Sequence, residues 1–139
     1  MPEATTRVRV TFADVDSSQR IHFTAMFRYF EVAEHHLMRE LGLPYSTFLN
    51  DIAYPRVHLS VDISGAVRYD DQLDVTARVE RIGNSSWTDT FTARQAADAN
   101  GEPGPIVAQG RMTIVAMDPQ TERARPLPER LRRVLTGDE

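Results

Sequence analysis

From Thr24 to Leu41 apolar residues recur at steps of three and four. Met26, Phe30, Ala33, Leu37 and Leu41 form one stripe, which Phe27 and Tyr29 widen. The spacing predicts a helix over residues 24–41, about 27 Å long at 1.5 Å per residue. Thr24 is suited to cap its start, and Gly42 followed by Pro44 to end it. A helix apolar around so much of its girth needs cover on more than one side, and the rest of the chain must supply it.

The rest reads as strands. Arg7–Ala13 alternates polar and apolar residues. After Tyr54 the period is two again. Val57, Leu59, Val61, Ile63, Val67 and Tyr69 fall on one face of a long strand, with Gly65 placed for a bulge. Leu73, Val75, Ala77 and Val79 carry the next strand, and Trp87–Ala97 and Ile106–Ala116 two more. The turns between them are YDDQ (69–72), GNSS (83–86) and the hairpin loop DANGEPGP (98–105). Pro126–Leu135 reads as a short terminal helix. Helix and strands are segregated, so the expected class is α+β, with a curved antiparallel sheet wrapped around one long central helix.

Residues 1–139 fit a single domain, long enough to build a core without cross-links. There is no cysteine, which removes disulfides, thiolate metal sites and cysteine nucleophiles. All sixteen basic residues are arginine, so lysine Schiff bases, Walker-type phosphate loops and Ser–Lys pairs are excluded as well. A net charge of −4 with scattered basic residues points away from nucleic acid. No apolar run approaches the roughly 20 residues that span a bilayer, and MPEATTRVRV lacks an apolar leader segment. A cytoplasmic protein without membrane contact is the expectation.

The chemistry concentrates between the first strand and the helix, where Asp14, Asp16 and His22 stand. An Asp-x-Asp after a strand is also ordinary turn chemistry. Yet the start of a long helix offers unpaired N–H groups and the positive end of a dipole. A carbonyl held there is polarised, and a carboxylate beside it can attack or activate water. Asp16 with the N–H groups of Phe23 and Thr24 is the candidate set. His22 is a second acid or base, a donor, or a plain loop residue. Glu31, among Phe27, Phe30 and Ala33, is a candidate for the substrate pocket or a solvated helix face. His35 and His36 point about 100° apart on a helix, which is wrong for shared metal ligation, so neither a metal nor another cofactor is expected.

VTFADVDSSQRIHFTAMFRYFEVAEHHLMRELGL resembles the opening of the 4-hydroxybenzoyl-CoA thioesterase branch of the hotdog-fold superfamily. YDDQL, GNSSW and PLPERLRR resemble, in order, the family's Y-x-D turn, its G-x-S-S-[FW] turn and its C-terminal helix start. The resemblance spans nearly the whole chain. It implies a hotdog fold: a five-stranded antiparallel sheet around the central helix, assembled as a homodimer or homotetramer with active sites at the dimer interface. It implies a thioester hydrolase in which Asp16 is the nucleophile or general base and the amide of Phe23 polarises the carbonyl. The substrate would be an acyl-CoA or an acyl-carrier-protein thioester, and Thr24, Tyr29, Glu31 and Tyr54 would line the acyl pocket. The chain departs from the family in three places. Gln19 stands where glycine is usual, His22 sits one place earlier than the histidine of many relatives, and Asn84 replaces a basic residue used for coenzyme A phosphates. Arg56, Arg68, Arg81 and Arg111 remain for that task. Two other readings stay open: a hotdog hydratase or dehydratase, and a non-catalytic acyl-thioester-binding subunit.

Overall fold

A computed structural model describes residues 1–48 and 51–138. The elements follow in the order β1 (Glu3–Arg9), a 3-10 turn (Phe12–Asp14), α1 (Ala25–Glu40), α2 (Tyr45–Phe48), β2 (Arg56–Ile63), β3 (Gln72–Ile82), β4 (Ser86–Gln95), β5 (Ile106–Val115), β6 (Met117–Asp118), β7 (Arg123–Ala124) and α3 (Glu129–Thr136). Five strands form one antiparallel sheet in the order β1-β3-β4-β5-β2, and β6 and β7 form a separate small hairpin. A long helix lies across the sheet, as a hotdog fold requires. The β6–β7 hairpin is the one strand pair that the sequence pattern did not anticipate, because two-residue strands carry no periodicity.

The α1 stripe buries Met26, Phe30, Ala33, Leu37 and Met38 against Leu73, Val75, Ala77, Val79, Phe91 and Ala93 of the sheet. Phe30 stacks on Phe91 with centroids 4.8 Å apart. Gly110 makes this approach possible. A Cβ there would stand 2.6 Å from Cε2 of Phe30 and 2.3 Å from the Ser60 carbonyl oxygen.

Two boundaries differ from the sequence reading by four residues or more. The first strand begins earlier and ends at Arg9, because Thr11 and Asp14 turn the chain into the 3-10 segment. The long strand ends at Ile63 instead of Tyr69. There both Ser64 and Gly65 give their N–H to the carbonyl of Val107, and Gly65 lies so close that a Cβ would be 2.9 Å from Cγ1 of Val107.

The two sheet edges are unlike. β1 carries Arg7 and Arg9, paired with Asp74 and Asp70. Such charged edges resist further pairing. β2 instead exposes Val57, Leu59 and Ile63, at 60%, 49% and 47%. α1 lies chiefly over β1 and β3, so this apolar strip is left uncovered. The far side of α1, with Arg28, Glu31, Val32 and Arg39, is exposed too. Within one chain the helix is therefore covered around most of its girth and leaves one exposed stripe.

Candidate active site

The segment from Asp14 to His22 closes as a small loop. Val15 and Ile21 form an antiparallel bridge, the Asp16 N–H donates to the Arg20 carbonyl at 2.9 Å, and the Gln19 N–H donates to the Asp16 carbonyl at 3.0 Å. The Ile21 N–H ties the loop to Val67 at 3.0 Å, and the His22 N–H ties it to the Asp14 carbonyl at 2.8 Å. Gln19 is the residue that turns the chain, at φ 67°. L side chains disfavour that region, and glycine does not. A glycine would take this conformation without strain. Gln19→Gly is expected to stabilise the protein by about 0.5–1 kcal/mol, the strain relieved exceeding the chain entropy added. Urea midpoints with an unchanged m value check it.

The two aspartates have opposite surroundings. Asp14 is buried, 4% exposed. Arg28 donates to its Oδ1, and Tyr29 (2.7 Å) and Thr11 (3.2 Å) donate to its Oδ2. Burial pushes this carboxyl up, but the hydrogen bonds from Arg28 and Tyr29 outweigh it and hold it below the ordinary carboxylate range. Asp16 is exposed. Its Oδ1 accepts the Ser18 hydroxyl and the Ser18 N–H, the latter at 2.8 Å. These two bonds, hydroxyl first, hold the Asp16 carboxyl low, with a smaller contribution from the nearby His22. Asp16 is thus an ionised, solvent-facing base held in a fixed orientation.

At the helix start, Thr24 does not cap with its side chain. Its hydroxyl lies 2.7 Å from Nδ1 of His22, and its N–H donates to the same nitrogen at 3.3 Å. A nitrogen that accepts carries no hydrogen, so the His22 proton sits on Nε2. The ring stacks on Phe23, centroids 4.5 Å apart. Among the described residues the Phe23 N–H makes no hydrogen bond, while that of Thr24 is committed to His22. Of the two expected oxyanion donors, one is therefore open.

Beside Asp16 runs a cleft of about 620 Å³ lined by Phe12, Val15, Asp16, Ser17, Gln19, Arg68 and Tyr69. Phe12 and Tyr69 meet edge to face at 5.7 Å, and both are exposed large apolar residues. The sequence reading did not single out this pair. Tyr69 reaches Phe12 because β1 and β3 pair with Arg9 opposite Gln72, which sets the YDDQ turn against the end of β1. The aromatic residues expected at the pocket lie elsewhere. Tyr29 is buried on Asp14, and Tyr54 is buried beside Trp87, centroids 5.9 Å apart, in a different cavity bounded by α3. Glu31 is exposed on the open side of α1.

The buried carboxylate of α1 is Glu34, fully inaccessible. Nη2 of Arg56 donates to both its oxygens at 2.8 Å, and the Tyr45 hydroxyl donates to Oε1. Burial pushes the Glu34 carboxyl up against the opposing pull of Arg56. Asp89 is 1% exposed, and its Oδ2 accepts the Trp87 indole N–H at 3.3 Å. Its Oδ1 has no partner among the described residues. Burial, reinforced by Glu34, pushes this carboxyl far up. Arg56 is thereby committed to Glu34, and Arg111 to Glu80 in a two-point pair on the outer sheet face. Of the four arginines considered for phosphates, Arg68 is the one that lines the cleft. Among the described residues no group of histidines and carboxylates is placed to hold a metal ion, and no helix is long and apolar enough to cross a membrane.

Known proteins share this architecture. The 1,4-dihydroxy-2-naphthoyl-CoA hydrolase of Synechococcus elongatus is 24% identical over 125 residues, which cover 88% of this chain and 87% of that protein. The crystal structure of a 1,4-dihydroxy-2-naphthoyl-CoA thioesterase from Synechocystis superposes with a TM-score of 0.85 at 18% identity, covering 96% of both chains. A gentisyl-coenzyme A thioesterase superposes with a TM-score of 0.82 at 19% identity, covering 95% of this chain and 99% of that one. These likenesses establish the hotdog fold, and residues 10–135 match the thioesterase-like superfamily. The chain belongs to the thioesterase-like superfamily, and its enzyme class is that of a thioester hydrolase.

Proposed function

We propose that this protein hydrolyses an aromatic acyl-CoA thioester, with Asp16 as nucleophile or general base and the Phe23 N–H as oxyanion donor. The observation that carries the reading is an ionised, exposed carboxylate in the closed loop that leads into α1, with an open N–H on Phe23 directly after that loop. Asp16 attacks the thioester carbonyl or takes a proton from water. The carbonyl oxygen gains charge against the Phe23 N–H and the helix dipole. His22 presents its Nε2–H as a further donor, with Thr24 fixing the ring. The thiolate of coenzyme A leaves; where Asp16 was the nucleophile, water then cleaves the acyl–Asp16 anhydride, and a carboxylic acid is the product.

Aromatic acyl groups are favoured because Phe12 and Tyr69 offer exposed ring faces and edges beside Asp16. The named thioesterases that this chain resembles act on dihydroxynaphthoyl and gentisyl thioesters. Arg68 at the cleft suits a phosphate of coenzyme A. Glu31 on the open side of α1 is available to a ring hydroxyl. We further propose a homodimer in which a second copy covers the apolar strip Val57, Leu59 and Ile63 of β2, and a cytoplasmic pool of coenzyme A thioesters as the substrate source.

Thiol release from a panel of aryl, hydroxyaryl and straight-chain acyl-CoA thioesters tests the activity. The chain has no cysteine, so it adds no thiol signal of its own. Hydroxyaryl thioesters are expected to give the highest kcat/KM. Hydration of an enoyl thioester without thiol release, or binding without turnover, would overturn the reading.

A further inference from the structure

The other aspartate of the loop, Asp14, contacts no solvent-facing group of the cleft and is not expected to touch substrate. We infer that Asp14 is a positioning residue for the reaction, the common anchor that sets where Asp16 stands relative to the Phe23 N–H. This inference rests on the proposed roles of Asp16 and Phe23.

The geometry is specific to Asp14. Its side chain bonds forward to α1, through Arg28 and the Tyr29 hydroxyl, and backward to the end of β1, through the hydroxyl of Thr11. Its carbonyl accepts the N–H of His22 at 2.8 Å, so the last residue before Phe23 is tied to the same anchor. Asp16 follows two residues later, across the Val15–Ile21 bridge. Both reacting ends of the loop, the carboxylate and the open N–H, are thus referred to one buried group. Loss of one of these ties lets the two ends drift apart, and a misplacement of about 1 Å reduces a rate by up to about 100-fold.

The electrostatics agree with a fixed anchor. Asp14 is the buried partner of a largely exposed Arg28, whose side chain is 61% accessible. The Tyr29 hydroxyl is pushed up by burial and by Asp14, so it remains a donor throughout the working pH range. Neither partner changes protonation as the enzyme turns over.

The test uses Asp14→Asn and Tyr29→Phe, assayed with the best acyl-CoA thioester on the full-length protein. The Asp14→Asn change keeps the size of the side chain, but the new amide cannot accept from both Arg28 and Tyr29. Tyr29→Phe removes one hydroxyl and leaves the fold intact, so it decides the matter if Asp14→Asn does not fold. The expected result is a kcat lower by about 100-fold for Asp14→Asn and by about fivefold for Tyr29→Phe, with KM changed by less than about threefold. Each change is then repeated in the Asp16→Asn background. A residue that sets Asp16 against the Phe23 N–H has a much smaller further effect there, whereas a residue that only holds the fold lowers residual activity by the same factor as before. Equal losses in both backgrounds, or kcat within twofold of the wild type for both variants, overturn the inference. Full activity in Asp16→Asn alone overturns the role of Asp16 instead, so the two failures are separable.

Discussion

Asp16→Asn lowers kcat/KM on the best acyl-CoA thioester by about 10²–10⁴-fold, the range expected for removal of a general base, and more if the carboxylate is the nucleophile. The substitution keeps the shape of the side chain, and its amide oxygen still accepts the Ser18 N–H and hydroxyl. KM and melting temperature are therefore expected to stay close to the wild type. The pH profile is a second signature. The ionised form of Asp16 is the active one, and its Ser18 bonds hold the carboxyl below its ordinary value of 3.8. Activity should thus be flat from pH 5 to 8 on the acid side and fall only below the usual carboxylate range. Steady-state thiol release across that pH range checks both points. A variant with wild-type turnover, or an acid limb near pH 6, would sink the assignment.

Arg56→Met lowers global stability by about 3–5 kcal/mol, because it leaves Glu34 as an unpaired charge in the core. Arg56 is the only cation hydrogen-bonded to Glu34 among the described residues, and it reaches both carboxylate oxygens. The sign of the pH dependence follows from the direction of the shifts. Glu34 and Asp89 both have carboxyls raised above their unfolded values. Their contribution is fully present below the unfolded value and is lost as pH rises through the folded one. Acidification should thus restore part of the stability of Arg56→Met by protonating Glu34. In the wild type, stability should decline from about pH 4 upward as the unfolded chain gives up the proton that native Asp89 retains. Asp89→Asn keeps the contact with Trp87 and removes the Asp89 part of that slope. Relative to the wild type it should gain stability between pH 5 and pH 8. Urea titrations of the three proteins at pH 5 and pH 8 measure these differences.

The same cluster shows where sequence patterns carry the fold and where they stop. The helix was legible because Met26, Phe30, Ala33, Leu37 and Leu41 leave one period open to inspection. Glu34 belongs to that period too, four residues after Phe30 and three before Leu37, and it is the buried acid where Glu31 is exposed. Applying the stripe to charged residues as well as apolar ones would have found it. Asp89 alternates with Trp87 and Phe91 on the inward face of β4 and carried a similar signal. Their partner Arg56 did not, since it is brought to Glu34 from another element by the fold alone. The loop from Asp14 to His22 stood out as a candidate site because strand, acid and helix start are close in sequence. The cleft beside it was not, because Tyr69 joins Phe12 only through the long-range pairing of β1 with β3.

During synthesis the strand order makes β2 wait. Its neighbour in the sheet is β5, which begins at Ile106, whereas β2 ends at Ile63. At about 5–20 residues per second, a ribosome delivers that partner only after several seconds. For that interval Val57, Leu59, Val61 and Ile63 form an apolar, β-prone segment with no strand to pair with, while β3 and β4 can already close as a hairpin. The step most exposed to aggregation is therefore the arrival of β5, and chaperone dependence in expression should be greatest for chains truncated just before Ile106.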